Sequence, residues 1–264
     1  MSADVKQLRA RIKSVDATAH LTGAMGLVAS SKIRKVVLNM DKAKSYSNAL
    51  KATVDSLTAC PECRNSAFMK SNDGITRLIV IAGDRGLAGG YNNAVFKLLK
   101  TCGEVKVTAI GKRAYDKFGG YPLAEKFSAE DSVNLAEELC REYKNGECGR
   151  VCVLYTKYNS ILSQEATVKQ ILPLEKGAKQ SGSPIFEPDE ETVLNEVISD
   201  YVSGVIFAAV KESFASEIAA RKVAMDAADK NAKKMIETLN LEYNRARQGS
   251  ITQEITEIVA GSGM

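Results

Sequence analysis

The distribution of proline constrains this chain more than any other feature. All five prolines fall between residues 61 and 188, so both ends lack the residue that most reliably breaks a helix. A helix over residues 3–57 would be about 80 Å long and one over residues 190–260 about 105 Å, because each residue adds ~1.5 Å. Neither fits inside a globular domain of this size. We therefore expect the two helices to bury their apolar stripes against each other.

The N-terminal stretch carries apolar side chains at alternating steps of three and four residues. This spacing is typical of a coiled-coil seam rather than of the broader stripe of a globular helix. Only the slots at Gly26 and Ser47 are poorly filled, and we expect their neighbours Met25 and Tyr46 to supply the contacts there. The seam positions are Val5, Leu8, Ile12, Val15, Ala19, Thr22, Ala29, Ile33, Val36, Met40, Ala43, Leu50, Val54 and Leu57.

The C-terminal stretch has a less regular stripe that becomes rich in alanine, which would let a partner helix approach closely. The stripe comprises Val202, Val205, Ala209, Ala219, Ala220, Val223, Ala224, Ala227, Ala228, Met235, Leu239, Tyr243 and Ala246. It ends in Ile251, Ile255, Ile258 and Val259. The second helix is about fifteen residues longer than the first, so an antiparallel pair leaves an overhang of roughly 20 Å with one uncovered apolar face.

Between the two helices, short apolar runs alternate with helical patterns. Continuous apolar runs are typical of strands that are buried on both faces. A last strand is expected at a sheet edge because it contains Pro173. The predicted strands are residues 78–82, 105–110, 151–155 and 166–174, and the predicted helices between them are residues 92–101 and 129–145.

The sequence therefore predicts an α/β chain. Its terminal helices form a long antiparallel coiled coil, and a small α/β (Rossmann-like) domain of mostly parallel strands is inserted between them. The predicted divisions are a coiled-coil helix over residues 1–58, an α/β domain over 74–188, and a second coiled-coil helix over 190–264 that pairs with the first.

Two cysteine pairs raise the question of a metal or redox site. Cys60 and Cys63 form a C-x-x-C pair, and Cys148 and Cys152 could complete a four-thiolate zinc site. The second pair, however, lies at the start of a predicted strand. We interpret all six cysteines as loop and core thiols of a chain in a reducing compartment, and we assign no metal and no cofactor.

A glycine-rich segment over residues 83–92 follows the first predicted strand, where a nucleotide-binding fold places its phosphate loop. Its spacing matches neither G-x-G-x-x-G nor G-x-x-x-x-G-K-[ST], and a tight turn with positive φ angles explains the glycines equally well. The single histidine, His20, lies beside the coiled-coil seam, which leaves the α/β domain without a Ser-His-Asp or Cys-His pairing. We predict no catalytic residues.

Charge and hydropathy exclude two further classes. The net charge is +4, and the basic residues are spread along helices rather than gathered in blocks, so no nucleic-acid partner is expected. No apolar run approaches the ~20 residues of a membrane span, and the N-terminus lacks a signal-peptide core. We therefore expect no direct insertion into a membrane.

Three segments resemble the gamma subunit of F-type ATP synthases, the central-stalk rotor. Residues 21–34, LTGAMGLVASSKIR, are similar to the family's I-T-x-A-M-x-x-V-A-x-x-K stretch. Residues 84–89, DRGLAG, are similar to its D-R-G-L-x-G turn, and residues 243–258, YNRARQGSITQEITEI, match its C-terminal signature. Together the three segments cover both ends of the chain and the turn after the first predicted strand.

The chain also departs from the family pattern. Gly23 stands where the family usually has Lys, and Gly83 where it usually has Ser or Thr. The tail Gly261-Ser262-Gly263-Met264 replaces a more common Gly-Ala-Ala. The first change removes a charge from the N-terminal helix.

The resemblance implies a rotor that couples ion flow through the membrane ring to sequential conformational changes of the catalytic beta subunits, for ATP synthesis or hydrolysis. The implied partners are the hexamer of alpha and beta subunits, the epsilon subunit and the c-ring, and the active sites belong to those partners. We expect a peripheral protein on the cytoplasmic side of a bacterial plasma membrane, since no Arg/Ser-rich transit sequence precedes the first helix.

The resemblance also implies contacts between rotor and stator at particular residues. These are Met25, Lys32, Arg221, Gln248, Thr252 and Glu254, and an apolar bearing tip at Ile251, Ile255, Ile258 and Val259. Lys32 and Arg221 would form a basic belt that meets acidic loops of the beta subunits. The plainer interpretations are a seam contact for Met25, solvated charges for Lys32 and Arg221, and ordinary helix surface near the end.

Two other classes of protein stay open. One is a stand-alone coiled-coil adaptor whose α/β head binds a partner, and copurification with alpha and beta subunits would separate it from a rotor. The other is a nucleotide-dependent enzyme that uses the turn at residues 83–90, for which micromolar binding of ATP to the isolated chain would be the sign.

Overall fold

Two long helices bracket the chain in the computed structural model, which describes residues 3–177 and 186–263. Residues 178–185 of the predicted α/β domain and Met264 of the tail lie outside the described residues. The helices are α1 (Ala3–Ala59), α2 (Tyr91–Leu99), α3 (Lys112–Phe118), α4 (Ala129–Lys144) and α5 (Glu190–Ser262). The strands are β1 (Ile75–Ile81), β2 (Val105–Ile110), β3 (Gly120–Tyr121), β4 (Cys148–Tyr158) and β5 (Gln164–Leu172). Two short 3-10 helices, Glu62–Asn65 and Ala67–Met69, follow α1.

The described residues form two compact units. The helical unit consists of the residues up to Ser30 together with those from Lys222 onward, and the α/β unit is Ser31–Arg221. Helices α1 and α5 each contribute to both units. The predicted terminal helices are confirmed to within two residues at their inner ends, because proline and the following turns stop α1 and delay the start of α5.

In the helical unit, most of the buried positions of α1 and α5 lie seven or fourteen residues apart. Val5, Ala19, Gly26 and Ala29 are buried on α1. No larger side chain is needed at Gly26, because even a Cβ there would already lie 3.6 Å from Cβ of Met225 on α5. The helices therefore meet closely at a position that the sequence suggested was empty, while Met25 next to it is half-buried.

On α5 the buried positions of the helical unit are Met225, Ala232 and Leu239. The prediction that Ala227 and Met235 belong to the stripe was wrong, since Ala227 is exposed and Met235 is 46% exposed. Ala227 lies two residues, or about 200° around the helix, from Met225, and Met235 lies three residues, or about 60° around the helix, from Ala232.

In the α/β unit the same helices pack against the sheet and each other. Ser47 is itself buried on α1, although the sequence suggested that its slot was poorly filled. Tyr46 is 56% exposed, but its ring lies close to α5, because a Cβ at Gly204 would stand 3.5 Å from Cε1 of Tyr46. Close packing is visible at Gly204, where a Cβ would lie 2.9 Å from Cδ1 of Leu50.

The five-stranded sheet has the order β3-β2-β1-β4-β5. β1 pairs in parallel with β2 and β4, β2 pairs in parallel with β3, and β5 runs antiparallel to β4 at the edge. The mostly parallel sheet and the edge position of β5 are confirmed, although Pro173 follows β5 rather than lying in it. α3 and β3 were not predicted, because seven and two residues are too few to show a period.

Alternate residues of β1 enter two cores on opposite faces of the sheet. Ile79 and Ile81 join a large cluster with residues of α1, α4 and α5, among them Leu57, Leu139 and Ile198. On the other face Leu78, Val80 and Ala82 pack with Val95 of α2. Each large side chain buried in this way contributes about 1.5–3 kcal/mol.

One helix among the described residues, α5, contains an 18-residue window with the length and composition of a membrane span, at a mean hydropathy of 1.5. The prediction that no run is so apolar was therefore wrong. Of that window 61% is buried inside the protein. A helix that is apolar on most of its circumference is also what the centre of a globular core requires.

Gly111 at the turn from β2 to α3 provides a test of the α/β unit. Its φ is 98°, and a Cβ there would collide with the carbonyl oxygen of Ala82. We expect Gly111→Ala to lower the free energy of unfolding by about 3 kcal/mol, since it adds a strained φ to a backbone collision. Urea unfolding of the full chain, followed by tyrosine fluorescence, measures this because the chain has no Trp.

Gly90 is the matched control for that variant. Its φ is −84°, and a Cβ there would meet nothing within 4 Å. Gly90 is the N-cap of α2, where alanine is less favourable, so Gly90→Ala should lower the free energy of unfolding by about 1 kcal/mol or less. Equal losses in the two glycine variants would contradict the packing described at Gly111.

Candidate functional site

The glycine-rich loop Gly83–Gly90 connects β1 to α2, and its first amides are held by protein side chains. The amide of Gly83 donates to Oδ1 of Asn92 at 2.9 Å. The amides of Asp84 and Arg85 donate to the two carboxylate oxygens of Glu217 at 3.1 and 3.3 Å. A phosphate loop offers such amides to its ligand. Here they are occupied, which argues against the phosphate-binding alternative at this loop.

The backbone of the loop confirms a tight turn but not the expected role of each glycine. Of its glycines, Gly89 has a positive φ of 58°. Leu87 also has a positive φ, 60°, which is uncommon for a residue with a branched side chain, and it is 63% exposed. The loop thus presents an apolar side chain to solvent in a conformation that its surroundings must hold.

A buried ion pair on α5 holds the loop. Glu217 is 1% and Arg221 6% exposed, and the Arg221 guanidinium contacts the Glu217 carboxylate one helical turn away. Nε and Nη2 of Arg221 also donate to the carbonyl oxygen of Gly86, each at 3.3 Å. Every charge that this pair removes from water is matched by a partner, as burial requires.

The surroundings of Arg221 correct the sequence analysis. Neither a solvated Arg221 nor an Arg221 in an exposed basic belt fits the structure, because the guanidinium is buried under the loop and bonds to Glu217 and Gly86. Glu217 was missed altogether. Its spacing of four residues from Arg221 was a signal for a helical ion pair, but exposed pairs show the same spacing.

Asp84 organises the other side of the loop. Its carboxylate accepts from the backbone amides of Lys112 at 3.3 Å, Ala124 at 2.7 Å and Glu125 at 2.9 Å. One side chain thereby joins the end of β1, the start of α3 and the segment before α4. The D-R-G-L-x-G turn therefore connects three segments of the α/β unit and also presents side chains to solvent.

Lys32 of α1 lies on the exposed side of this turn. Its Nζ is 3.4 Å from Oε1 of Glu125, and its side chain is 41% exposed. Nη2 of Arg85 is 4.0 Å from the other oxygen of Glu125, and the Arg85 side chain is 69% exposed. The structure thus brings Lys32 and the presented loop residues together around one carboxylate. We call Lys32, Arg85, Leu87 and Glu125 the loop face.

The other predicted contact residues lie on the helical unit. Met25 is half-buried, whereas Gln248, Thr252 and Glu254 are exposed on α5. The Thr252 hydroxyl donates to the carbonyl oxygen of Gln248 at 3.0 Å, and the Ser250 hydroxyl lies 3.5 Å from a carboxylate oxygen of Glu254. Of these four side chains, the three on α5 are therefore open to solvent.

The predicted apolar tip is uncovered. Ile251, Ile255, Ile258 and Val259 are 49%, 56%, 69% and 64% exposed. α5 has 73 residues and α1 has 57, so α5 is the longer helix, as the sequence predicted. A solvent-exposed row of this kind is typical of a surface that is buried in an assembly.

The cysteines and the histidine have ordinary surroundings. The six thiols are free, and burial raises the pKa of Cys63 and of Cys148 to about 11. The described residues hold no group of three or more His, Cys, Asp or Glu side chains placed to bind a metal ion. His20 lies on the surface 3.8 Å from Asp16, as its position beside the seam predicted.

Comparison with known proteins decides the family. The family model described as ATP synthase matches residues 4–263. An ATP synthase gamma chain of Ruminococcus albus is 38% identical over 98% of this chain and 98% of its own length. The chain belongs to the ATP synthase gamma chain family. A gamma chain of Xanthomonas campestris is 36% identical over 97% of this chain and 98% of its own.

Solved structures confirm the fold expected of a gamma chain. A chain of the mitochondrial ATP synthase of Euglena gracilis, from its OSCP/F1/c-ring assembly, has a TM-score of 0.71 at 19% identity and covers 98% of this chain and 93% of its own. A chain of the rotor from the same organism has a TM-score of 0.68 at 18% identity, covering 94% of this chain and 99% of its own. The predicted combination of long terminal helices and an inserted α/β domain is the fold of these chains.

Proposed function

We propose that this gamma chain is the central-stalk rotor of an ATP synthase. In that role it couples ion flow through the membrane ring to sequential conformational changes at the catalytic beta subunits. The uncovered apolar end of α5, which lies within the family's C-terminal signature, carries the proposal. The partners are the hexamer of alpha and beta subunits, the epsilon subunit and the c-ring. The solved relatives from Euglena gracilis are described as parts of rotor and OSCP/F1/c-ring assemblies.

The apolar end suits a contact that must slip between equivalent positions. Ile255, Ile258 and Val259 offer contacts without preferred direction, whereas a hydrogen-bonded contact would have to break at each step. Charged side chains nearby can distinguish the conformations of the surrounding subunits. A rotor that contacts one beta conformation better than another biases the equilibrium between them, which is the requirement for coupling.

The contact residues fall into two groups under this proposal. Met25, Gln248, Thr252 and Glu254 act on the helical unit, and Lys32 acts with the loop face of the α/β unit. Arg221 takes a different part, because its guanidinium is buried under the loop. It positions the loop that presents Arg85 and Leu87 and does not itself reach the stator.

We assign the chemistry of ATP to the partner subunits and the location to the cytoplasmic side of a bacterial plasma membrane, where the protein is peripheral. Two features support a non-catalytic role: the loop amides already bind Glu217, and His20 is exposed on α1. The curated relatives at 36–38% identity are bacterial, which supports the location.

Coexpression with the matching alpha, beta and epsilon subunits tests the proposal. We expect the untagged full chain to copurify with tagged beta in a complex that hydrolyses ATP. Omitting the gamma chain should prevent that complex from forming, because its helices fill the centre of the hexamer in a rotor. Purification of the chain apart from alpha and beta, with a stable complex forming without it, would instead favour the adaptor.

A further inference from the structure

A concave groove of about 590 Å³ lies on the α/β unit, away from the loop face. Its floor is one face of the β4–β5 hairpin, where Tyr155 and Lys157 alternate with buried residues and pair across to Thr167 and Glu165. Its walls come from α1, at Lys51, and from α5, at Tyr201. Grooves of this size are in the range that holds a small ligand.

The groove has more positive than negative charge. Four lysines line it, Lys51, Lys157, Lys169 and Lys176. Two carboxylates line it, Asp55 and Glu175, and Asp55 lies 3.8 Å from Nζ of Lys51. Within the described residues, the other three lysines have no carboxylate within ion-pair distance.

Lys169 is the most constrained of these lysines. It is half-buried on β5, and burial, followed by the nearby charge of Lys51, lowers its pKa, although the charge of Glu212 acts in the opposite direction. An adjoining groove of about 290 Å³ shares Lys157 and Lys169, and there Lys44 is already matched by Glu212 at 2.7 Å. A half-buried cation beside a second cation is stabilised by an anion that enters the space between them.

We infer that this groove binds a small anion bearing more than one phosphate charge, held by Lys51, Lys157 and Lys169. Lysines bind phosphate as separate point charges, and three of them around one cavity suit a polyanion better than a single carboxylate. Tyr155 and Tyr201 line the same space, and a tyrosine hydroxyl can donate to phosphate oxygens. The site is distinct from the glycine loop, whose amides bind Glu217.

Isothermal titration of the full chain with pyrophosphate tests the inference. We expect saturable binding of one pyrophosphate that is at least about tenfold weaker in Lys169→Gln and in Lys157→Gln, and that weakens with salt because charge supplies the affinity. Lys112→Gln, which removes a lysine near the glycine loop, is the matched control and should bind like the unchanged chain. Thermal unfolding of each variant shows whether its fold is kept.

Several results would overturn the inference. These are no saturable binding of pyrophosphate at low salt, equal affinity in Lys169→Gln, or a loss that appears instead in Lys112→Gln. Sulfate binding as tightly as pyrophosphate would indicate an adventitious ion only. A polyglutamate peptide that binds more tightly than pyrophosphate would show that the groove receives an acidic protein segment. Comparison of inorganic phosphate, pyrophosphate and ATP then distinguishes the possible sources of the phosphate groups.

Discussion

Removing one member of the Glu217–Arg221 pair is expected to destabilise the α/β unit by about 3–5 kcal/mol, because the remaining charge stays buried without its partner. Glu217→Gln also weakens the two bonds that the carboxylate accepts from the amides of Asp84 and Arg85. Arg221→Met leaves the carbonyl oxygen of Gly86 without its donors. Urea unfolding of the full chain, followed by tyrosine fluorescence, measures the loss.

An exposed ion pair with the same spacing is the matched control. Lys112 and Asp116 lie four residues apart on α3 at 2.8 Å, with half of each side chain exposed. Lys112→Gln should leave the unfolding midpoint unchanged, since water already solvates both groups. A midpoint of Glu217→Gln as high as that of Lys112→Gln would show that the buried pair does not hold the loop.

The double variant Glu217→Leu with Arg221→Leu separates charge from hydrogen bonding. Removing both charges avoids a lone buried ion, so the double variant should lose less stability than the sum of the two single losses. It should still fall below the unchanged chain, because the amides of Asp84 and Arg85 then lack an acceptor. A loss equal to that sum would mean that the two side chains act independently.

Reversing the charge at Glu254 is expected to reduce coupling far more than assembly. The side chain is exposed on α5, where water screens its interactions, so the fold loses little. Under the proposed function, contacts of Glu254 with the stator help to distinguish conformations of the beta subunits. In Glu254→Lys we expect the number of protons moved per ATP hydrolysed to fall at least about fivefold. A fivefold change corresponds to a coupling free energy of about 1 kcal/mol, which is at the lower end of the typical range.

The measurement needs the assembled enzyme in vesicles, with ATP hydrolysis and proton uptake recorded together. Glu237→Lys reverses an exposed charge elsewhere on α5 and is the matched control, expected to couple normally. The yield of complex should be the same for both variants. An unchanged ratio of protons to ATP in Glu254→Lys, at normal yield, would refute the contact role of this residue.

Arg221 cannot serve the same test, although the sequence suggested it. Charge reversal there would place two carboxylates together in the core and unfold the loop, so reduced coupling would follow from lost structure. Its effect on coupling should track its effect on stability, whereas that of Glu254→Lys should not. The resemblance to the family implies a contact role for both residues, but Arg221 is buried and Glu254 is exposed.

Much of the fold was predictable because its signals are local. The absence of proline from both ends of the chain predicted the extent of α1 and α5. Continuous apolar runs predicted β1, β2 and β4. Steps of three and four residues selected the buried face of α1 from Val5 to Leu57. The same rule failed at Met235 on α5. Alanines lie on several faces of this helix, so the sequence does not define which face is buried.

The exposed apolar end of α5 is the part of the candidate site that the apolar spacing along the helix could predict. Ile251, Ile255 and Ile258 continue an apolar stripe beyond the length of the partner helix, so their exposure was expected and is found. The division of the chain into residues 1–58, 74–188 and 190–264 stays a prediction. The contact roles of the exposed residues likewise remain proposals.

By itself the sequence determined which segments are helices and strands, which face of α1 is buried, and that α5 outruns α1. Only the tertiary structure decided that Arg221 is buried, that Glu217 occupies the loop amides, and that Lys51 and Lys169 share a groove. The physical reason is distance along the chain. Glu217 meets Asp84 across 133 residues, and no local period records which charges folding brings together.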